Sequence, residues 1–176
     1  MRPTPFDLVA AEAIGSALWI AITQDGVRAI GRPGESENAF LARARKPASL
    51  GDRAPGCAAA HADVVRSELA ALLEGRRPER RATLDLVGND LARAVWSAIA
   101  AVPFGSRITY AALAAAAGAP RAVRAVAALN RGAPAPPFVP THRVVNARGE
   151  LVAPEGDPWT FLRKHLFERE RGQTAR

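Results

Sequence analysis

The sequence is poor in the residue types that support disulfides, metal sites and membrane spans. Its 176 residues include one cysteine, Cys57, so the chain can form no intramolecular disulfide and has no second thiol for a zinc site. We expect Cys57 to be a small packing residue. No apolar run approaches the roughly 20 residues of a transmembrane helix, and the N-terminus holds no uninterrupted apolar segment of the signal-peptide type. These absences predict a cytoplasmic protein that uses no membrane, no metal ion and no cofactor.

Charged residues are distributed unevenly along the chain. The chain is 48% hydrophobic and 23% charged, which suits one domain or two small ones with a buried core. Residues 1–90 hold 12 basic and 12 acidic side chains, whereas residues 91–176 hold 12 and 5, for a net charge of +7. The whole excess lies in the C-terminal half. It indicates either a surface for a polyanion or only an arginine-rich, solubilising composition.

The first half of the chain has the pattern of a small α/β unit. Alternating apolar residues on either side of Asp25-Gly26 predict a β-hairpin within residues 14–33. The stretch from there to about residue 60 is rich in Gly, Pro, Ser and Arg and is expected to be irregular, apart from a helix around Glu37–Ala44. Helical spacing predicts a helix over Ala59–Leu73, and a short strand is expected over residues 82–87.

The second half is predicted to be mainly helical. A helix over residues 91–102 follows two candidate caps, Asn89 and Asp90. Two shorter helices come next, one from Tyr110 to Gly118 and one from Pro120 to about Arg131. Two short helices joined by a Gly-Ala-Pro turn form a helix-turn-helix.

A last helix is expected over residues 158–171, with Phe161, Leu162, His165 and Leu166 against the core. An interdomain link is predicted only near residue 88. The sequence therefore predicts an α+β fold in two parts. Residues 1–88 form an N-terminal α/β subdomain with antiparallel strands, and residues 89–176 form a mainly helical, winged-helix-like domain that contains the helix-turn-helix.

The most informative stretch is Val139-Pro140-Thr141-His142-Arg143-Val144-Val145. Pro140 has a fixed φ angle and the two valines favour an extended backbone, so Thr141 and His142 are presented together at a fixed position. The stretch resembles the Pro-Cys-His-Arg-Val motif of the alkylguanine-DNA alkyltransferases, which transfer an alkyl group from guanine O6 in DNA to their own cysteine. Here Thr141 stands at the cysteine position.

Further motifs in the same order and spacing resemble this family. They are Pro103-Phe104-Gly105 at the end of one helix, Ile108-Thr109-Tyr110 at the start of the next, and residues 121–126 in the second helix of the helix-turn-helix. The resemblance implies that this element enters the minor groove of DNA and that the damaged base flips out of the duplex.

The resemblance assigns DNA-binding roles to five residues. Arg124 matches the arginine that replaces the flipped base in the stack, as a planar cation can; the alternative is a solvated or phosphate-contacting arginine. Tyr110 matches the tyrosine that presses on the phosphate, or else it is a half-buried core residue. Ala122 and Ala125 are small enough to let the helix approach the sugar-phosphate walls closely. Arg143 of the central motif is the fifth residue expected to bind DNA.

The chemistry of the family depends on a Cys-His-Glu arrangement, linked through water, that generates a thiolate. His142 matches the histidine, and Glu170 or, after a shift of two residues, Glu168 matches the glutamate. The pKa of an aliphatic alcohol lies several units above that of a thiol, so the hydroxyl is a much poorer nucleophile. Alkyl transfer to Thr141 is therefore expected to be lost. Cys57 lacks the surrounding motif and does not replace the missing thiol.

A related branch, the alkyltransferase-like proteins, has tryptophan at this position and binds alkylated DNA without repairing it, passing the site to nucleotide excision repair. This chain differs from that branch because Thr141 is small and polar and because the N-terminal half is of full length. The family has a hinge asparagine, and an ungapped comparison places it at Ala133 of this chain. The nearest asparagine, Asn130, lies three residues earlier.

Four hypotheses remain open. The first is a monomeric, non-catalytic protein that binds double-stranded DNA with a damaged base and cooperates with nucleotide excision repair proteins. The second is an enzyme in which His142, helped by Glu170 and Thr141, activates water for glycosidic cleavage or adduct hydrolysis. The third is an active alkyltransferase in which threonine was introduced to trap the substrate. The fourth is a DNA-binding module without lesion preference.

Overall fold

The computed structural model describes residues 3–45 and 48–174, and the chain divides into two compact units. One unit comprises the chain up to Leu73 together with Pro78–Val87. The other comprises Glu74–Arg77 and the chain from Gly88 onward. This division departs from a single boundary near residue 88, because the short segment Glu74–Arg77 packs with the second unit.

The first unit is a four-stranded sheet with two helices. Its strands are β1 (Thr4–Ala13), β2 (Ser16–Thr23), β3 (Gly26–Ile30) and β4 (Leu50–Arg53), and its helices are α1 (Glu37–Ala44) and α2 (Ala59–Leu73). The strand order is β3-β2-β1-β4; β1 pairs with β2 and β2 with β3 in antiparallel fashion, whereas β4 is parallel to β1. Phe6, Leu8 and Phe40 belong to its buried core.

Two tight turns connect the antiparallel strands. β1 and β2 meet at Ile14-Gly15, where φ is 53° and 70°, and positive φ at both central residues suits a two-residue hairpin. The pairing of β2 with β3 confirms the predicted hairpin around Asp25-Gly26. Gly26 has a φ of 135°, and a Cβ there would lie 2.4 Å from the Thr83 carbonyl oxygen, so no side chain fits at this position.

Several expectations for the first half are corrected by the structure. The sequence did not predict β1 or β4. The alanines of β1 and the Gly-Asp of β4 have weak strand propensity, and both segments become strands by pairing with neighbouring strands. The strand expected over residues 82–87 is reduced to one bridge between Leu84 and Val27. Cys57 is exposed and is not a packing residue.

The second unit is mainly helical. Its helices are α3 (Asp90–Ala100), α4 (Tyr110–Ala116), α5 (Val123–Arg131) and α6 (Thr160–Thr174), and its two short strands are β5 (Ile108–Thr109) and β6 (Val144–Val145), which are parallel. The Asn89 side chain caps α3 by accepting a hydrogen bond from the Ala92 amide. Thr109 caps α4 in the same way, and the two caps fix where these helices begin.

Some helix boundaries and one buried position differ from the prediction. Pro120 lies in a turn, and α5 begins only at Val123 with no side-chain cap. Phe161, predicted to be buried, is 67% exposed, whereas Leu162 and Leu166 are buried as predicted. Over residues 3–45 and 48–174, no helix is both long and apolar enough to cross a membrane.

Candidate functional site

The central motif is a short, fully buried segment between α5 and α6. Pro140 leads into a single 3₁₀ turn over Thr141–Arg143, in which the Arg143 amide donates to the Pro140 carbonyl at 2.9 Å. The chain then enters β6, where Val144 lies opposite Ile108 of β5. Thr141 and His142 are each 1% exposed and Arg143 is 3% exposed. The turn and the strand pairing therefore hold these three side chains inside the unit.

Glu170 of α6 binds the motif from the opposite side. Its Oε1 lies 2.8 Å from His142 Nε2 and accepts from Arg143 Nη2 at 2.7 Å. Its Oε2 accepts from the Gly105 amide at 3.2 Å. Glu168, the other candidate, is exposed. The structure thus brings Glu170, and not Glu168, to the histidine.

Arg143 is part of this buried cluster and is not placed to contact DNA. Besides its bonds to Glu170, its Nη1 donates to the Val102 carbonyl at 2.7 Å. At 3% exposure, the guanidinium spans the interior from the 3₁₀ turn to the end of α3. The DNA-binding role expected for Arg143 is therefore corrected to a structural one, because its donors are directed to protein acceptors.

A second arginine reinforces the carboxylate from the edge of the cluster. Arg107 Nη1 lies 3.5 Å from Glu170 Oε2, and its Nη2 donates to the Phe167 carbonyl at 3.0 Å. Its guanidinium carbon also lies 4.4 Å from the centroid of the Phe167 ring, within the range of a cation–π contact. Two arginines and one histidine thus surround a single buried carboxylate.

This surrounding keeps Glu170 ionised. Burial by itself would raise the pKa of Glu170, but the hydrogen bonds and charges of His142 and Arg143 outweigh it and lower the pKa to about 2. Burial lowers the pKa of His142 below its ordinary value, although Glu170 opposes that shift. A carboxylate can only accept, so His142 Nε2 carries the proton of this bond and a neutral ring keeps a lone pair on Nδ1.

Arg163 is a site residue that sequence reasoning missed. It projects from α6, is 3% exposed, and its Nε donates to Thr141 Oγ1 at 3.2 Å. Its Nη1 donates to Asp157 Oδ2 at 2.9 Å, and its Nη2 lies 3.4 Å from the Asn130 and Arg131 carbonyl oxygens. The available signal was its position four residues after the buried Trp159, on the helix face that points inward.

The helix-turn-helix carries the other predicted residues. Arg124 and Ala125 are exposed in the first turn of α5, and Ala122 is half-buried just before it. The half-buried Tyr110 begins α4, and its hydroxyl accepts from Asn130 Nδ2 at 3.2 Å. The structure therefore leaves Arg124 free to meet a ligand on the surface and ties Tyr110 to the interior of the same unit.

A cavity of about 220 Å³ opens beside these helices. Its walls include Tyr110, Asn130, Arg131, Val152 and Arg163. Asn130 is 2% exposed, and among the described residues its Oδ1 is the buried side-chain atom that lacks a hydrogen-bond partner. Asn130 thus presents a polar group to the cavity, whereas Ala133, the ungapped position of the family's hinge asparagine, has none. No cluster of three or more His, Cys, Asp and Glu side chains in the described part of the chain could hold a metal ion.

Comparison with known proteins finds a similar domain for most of the second unit. Residues 90–172 match the model of the 6-O-methylguanine DNA methyltransferase DNA-binding domain. The methylated-DNA–protein-cysteine methyltransferase of Mycobacterium leprae is 38% identical over 86 residues, which cover 49% of this chain and 52% of that protein. The constitutive enzyme of Bacillus subtilis is 34% identical over 107 residues, which cover 61% of this chain and 64% of that protein. The matches thus span about half to two thirds of these relatives.

The similarity in three dimensions extends over nearly the whole chain. The crystal structure of Mycobacterium tuberculosis OGT in complex with DNA has a TM-score of 0.69 and 25% sequence identity, and the match covers 97% of this chain and 94% of that one. This similarity confirms the predicted α+β fold with a helix-turn-helix. Together with the domain match, it confirms the resemblance inferred from the Pro-x-His-Arg motif.

Proposed function

Because residues 90–172 match the model of the 6-O-methylguanine DNA methyltransferase DNA-binding domain and threonine occupies position 141, we propose that the protein recognises alkylated or otherwise damaged DNA without repairing it. The helix-turn-helix binds the minor groove, and the damaged nucleotide is extruded into the cavity beside Tyr110 and Arg163. Arg124 fills the space that the base leaves in the stack.

One observation carries the non-catalytic part of this proposal. The Thr141 hydroxyl, at the position where the family motif has its thiol, is 1% exposed and accepts a hydrogen bond from Arg163 at 3.2 Å. A cation bound to the oxygen lowers its electron density, and an aliphatic alcohol is in any case a poor nucleophile towards an alkyl carbon. The side chain is therefore suited to hold Arg163 in place and not to accept an alkyl group.

Selectivity for damage has a simple physical source. Extruding a nucleotide costs a few kcal/mol, and the cost is least for a damaged or mispaired base. A stacking arginine such as Arg124 recovers part of this cost. The protein would thus prefer lesions even before the cavity distinguishes one adduct from another.

The experiment compares a duplex that carries one O6-methylguanine with an unmodified duplex of the same sequence. Bound fraction is followed by fluorescence anisotropy and the fate of the base by mass spectrometry. We expect preferential binding to the lesion, with the base and its methyl group unchanged. Equal affinity for both duplexes would contradict the proposal.

A hydrolytic enzyme is the second candidate. Its support is the buried contact between His142 and Glu170 at 2.8 Å, which directs a lone pair to Nδ1 of a neutral ring, the form in which histidine acts as a base. Such an enzyme would release the base or its adduct many times per protein molecule. His142→Gln would abolish that turnover, whereas binding without turnover supports the sensor.

We further propose that the protein acts as a monomer and that the bound lesion is passed to nucleotide excision repair proteins. The second part follows from the non-catalytic reading, since a protein that leaves the lesion in place requires a later step to remove it. Light scattering of the free protein and of its complex with the lesion duplex tests the first part. Incision of that duplex by purified excision repair proteins, with and without this protein, tests the second.

A further inference from the structure

A second cavity, with a volume of about 710 Å³, lies along one stripe of α6. The stripe consists of residues spaced by three and four positions, Lys164, Phe167, Glu168 and Arg171, and the remaining wall comes from the turn before β5 and the turn after β6. Of the described residues, none lines both this cavity and the cavity beside Tyr110. Sites for small molecules have volumes of about 300 to 1,000 Å³, so the second cavity is a separate candidate for such a ligand.

Arg107 supplies this cavity with a cation whose position is fixed. Its Nη1 donates to the Ser106 carbonyl at 3.0 Å and lies 3.5 Å from Glu170 Oε2, and its Nη2 donates to the Phe167 carbonyl at 3.0 Å. Its side chain is 21% exposed, and within the described chain its Nε makes no hydrogen bond. The guanidinium is therefore held in place before a ligand arrives and still has N–H donors to offer.

Two further cations face the cavity without a counter-charge of their own. Lys164 and Arg171 are exposed on the stripe, and neither forms an ion pair or a hydrogen bond with another residue in the described part of the chain. Burial lowers the pKa of Arg107; Glu170 opposes this shift, and the positive charge of Arg171 adds to it. An anion bound among these cations would relieve their repulsion. The basic side chains therefore favour a phosphate group.

The cavity also has acidic and apolar walls. Glu150 accepts a hydrogen bond from Asn146 Nδ2 at 2.9 Å, whereas the exposed Glu168 has no hydrogen-bond partner among the described residues. Such a carboxylate suits sugar hydroxyls, as the acidic residue of dinucleotide-binding folds does. Leu151 and Phe167 are half-buried and contribute apolar surface. The lining thus offers separate partners for a phosphate, a sugar and a base.

We propose that the second cavity binds a ribonucleoside phosphate, with the phosphate at Arg107, Lys164 and Arg171 and the ribose hydroxyls at Glu168. A simple anion would leave the carboxylate of Glu168 unused and close to a like charge. A nucleoside without phosphate would leave the three cations unused. The inference does not depend on which DNA the other cavity recognises, so its failure would leave the proposed function intact.

Calorimetric titration of the whole chain with ADP, GDP, CDP and UDP, in buffer free of divalent metal ions, measures the binding. We expect at least one of them to bind with a stoichiometry of one per chain. Its nucleoside and inorganic pyrophosphate should each bind at least about tenfold more weakly, since one charge-assisted hydrogen bond corresponds to that factor. Absence of binding by all four nucleotides would overturn the inference, and so would pyrophosphate that binds as tightly as the best of them.

The same cations would also suit a phosphate of the DNA backbone, and a second titration separates the two sources. The best nucleotide is titrated into protein saturated with an unmodified duplex. An unchanged affinity supports a nucleotide site apart from the DNA. Displacement of the nucleotide by the duplex would assign the cations to the DNA backbone and overturn the inference.

Exposed residues provide variants that leave the buried core unchanged. Arg171→Gln should weaken nucleotide binding at least about tenfold, whereas Arg121→Gln, which removes an exposed charge from a residue outside the cavity lining, should not. Glu168→Gln should remove most of the advantage of the ribonucleotide over its 2′-deoxy form. Equal effects of the two arginine substitutions would contradict the site, and an undiminished ribose advantage in Glu168→Gln would contradict the role of that carboxylate.

Discussion

At the scale of single residues, the site holds a buried histidine–glutamate pair next to a threonine. His142 and Glu170 remain in contact at 2.8 Å inside the unit. Thr141 lies next to His142 in the 3₁₀ turn, at the position where the alkyltransferase motif has cysteine. If His142 and Glu170 can still activate a thiol, replacing Thr141 by cysteine should restore alkyl transfer.

We expect Thr141→Cys to restore stoichiometric alkyl transfer from O6-methylguanine. A thiol ionises far more readily than an alcohol, and the guanidinium of Arg163, which lies 3.2 Å from the oxygen of residue 141, would stabilise the thiolate. Mass spectrometry of the protein after incubation with the lesion duplex measures methyl uptake, and peptide mapping distinguishes residue 141 from Cys57. Thr141→Ser, which keeps a hydroxyl, should take up none. A folded cysteine variant that remains unmethylated would refute the assignment of residue 141 as the acceptor position.

The candidate residues differ in how far the sequence alone could assign them. Thr141 and His142 are adjacent in one motif, so their proximity follows directly. Glu168 and Glu170 could not be separated, because a shift of two residues on a helix turns a side chain to a different face, and the helix orientation follows from packing. Arg143 and Arg163 illustrate the other limit: arginine is usually a surface residue, and only the fold shows that both are buried beside carboxylates.

At the scale of elements, local signals define the helices better than the strands. Asn89 and Thr109 cap α3 and α4 where the sequence indicates, because capping is a contact between residues three positions apart. β4 depends on β1, a partner that is distant in the sequence, and the single bridge at Leu84 likewise depends on the distant Val27. Composition carries little information about such pairing.

The first turn of α5 allows a test of the element that is proposed to enter DNA. We expect Arg124→Ala to abolish most of the preference for O6-methylguanine while reducing the affinity for intact duplex only slightly, because the guanidinium replaces the extruded base. Arg121→Ala, which removes another exposed arginine just before α5, should weaken binding to both duplexes alike, as loss of a phosphate contact does. Titrations of both duplexes at one salt concentration measure the two effects. An equal loss on both duplexes for Arg124→Ala would contradict its role in the stack.

At the scale of the whole molecule, the buried charge cluster couples stability to pH. The folded pKa of Glu170 is lowered from 4.5 to about 2, so its contribution is fully present above the unfolded pKa and is lost as the pH falls towards 2. A shift of this size corresponds to roughly 3 kcal/mol. The folded pKa of His142 is also lowered, so the unfolded chain binds its proton first and stability already begins to fall below about 6.5. Both groups therefore make acid destabilising.

We expect Glu170→Gln to lower the free energy of unfolding at pH 7 by roughly 3 to 5 kcal/mol, since it leaves Arg143 without its buried counter-charge. It should also flatten the loss of stability between about pH 4.5 and pH 2, because the titrating group is gone. Glu168→Gln removes the same charge from an exposed position of α6 and controls for the highly basic net charge of the chain. Urea unfolding of the three proteins across this pH range measures the difference. If the wild type and Glu170→Gln lose stability in parallel, the carboxylate is not the group that links folding to pH, and the cluster around His142 is held by packing instead of by charge.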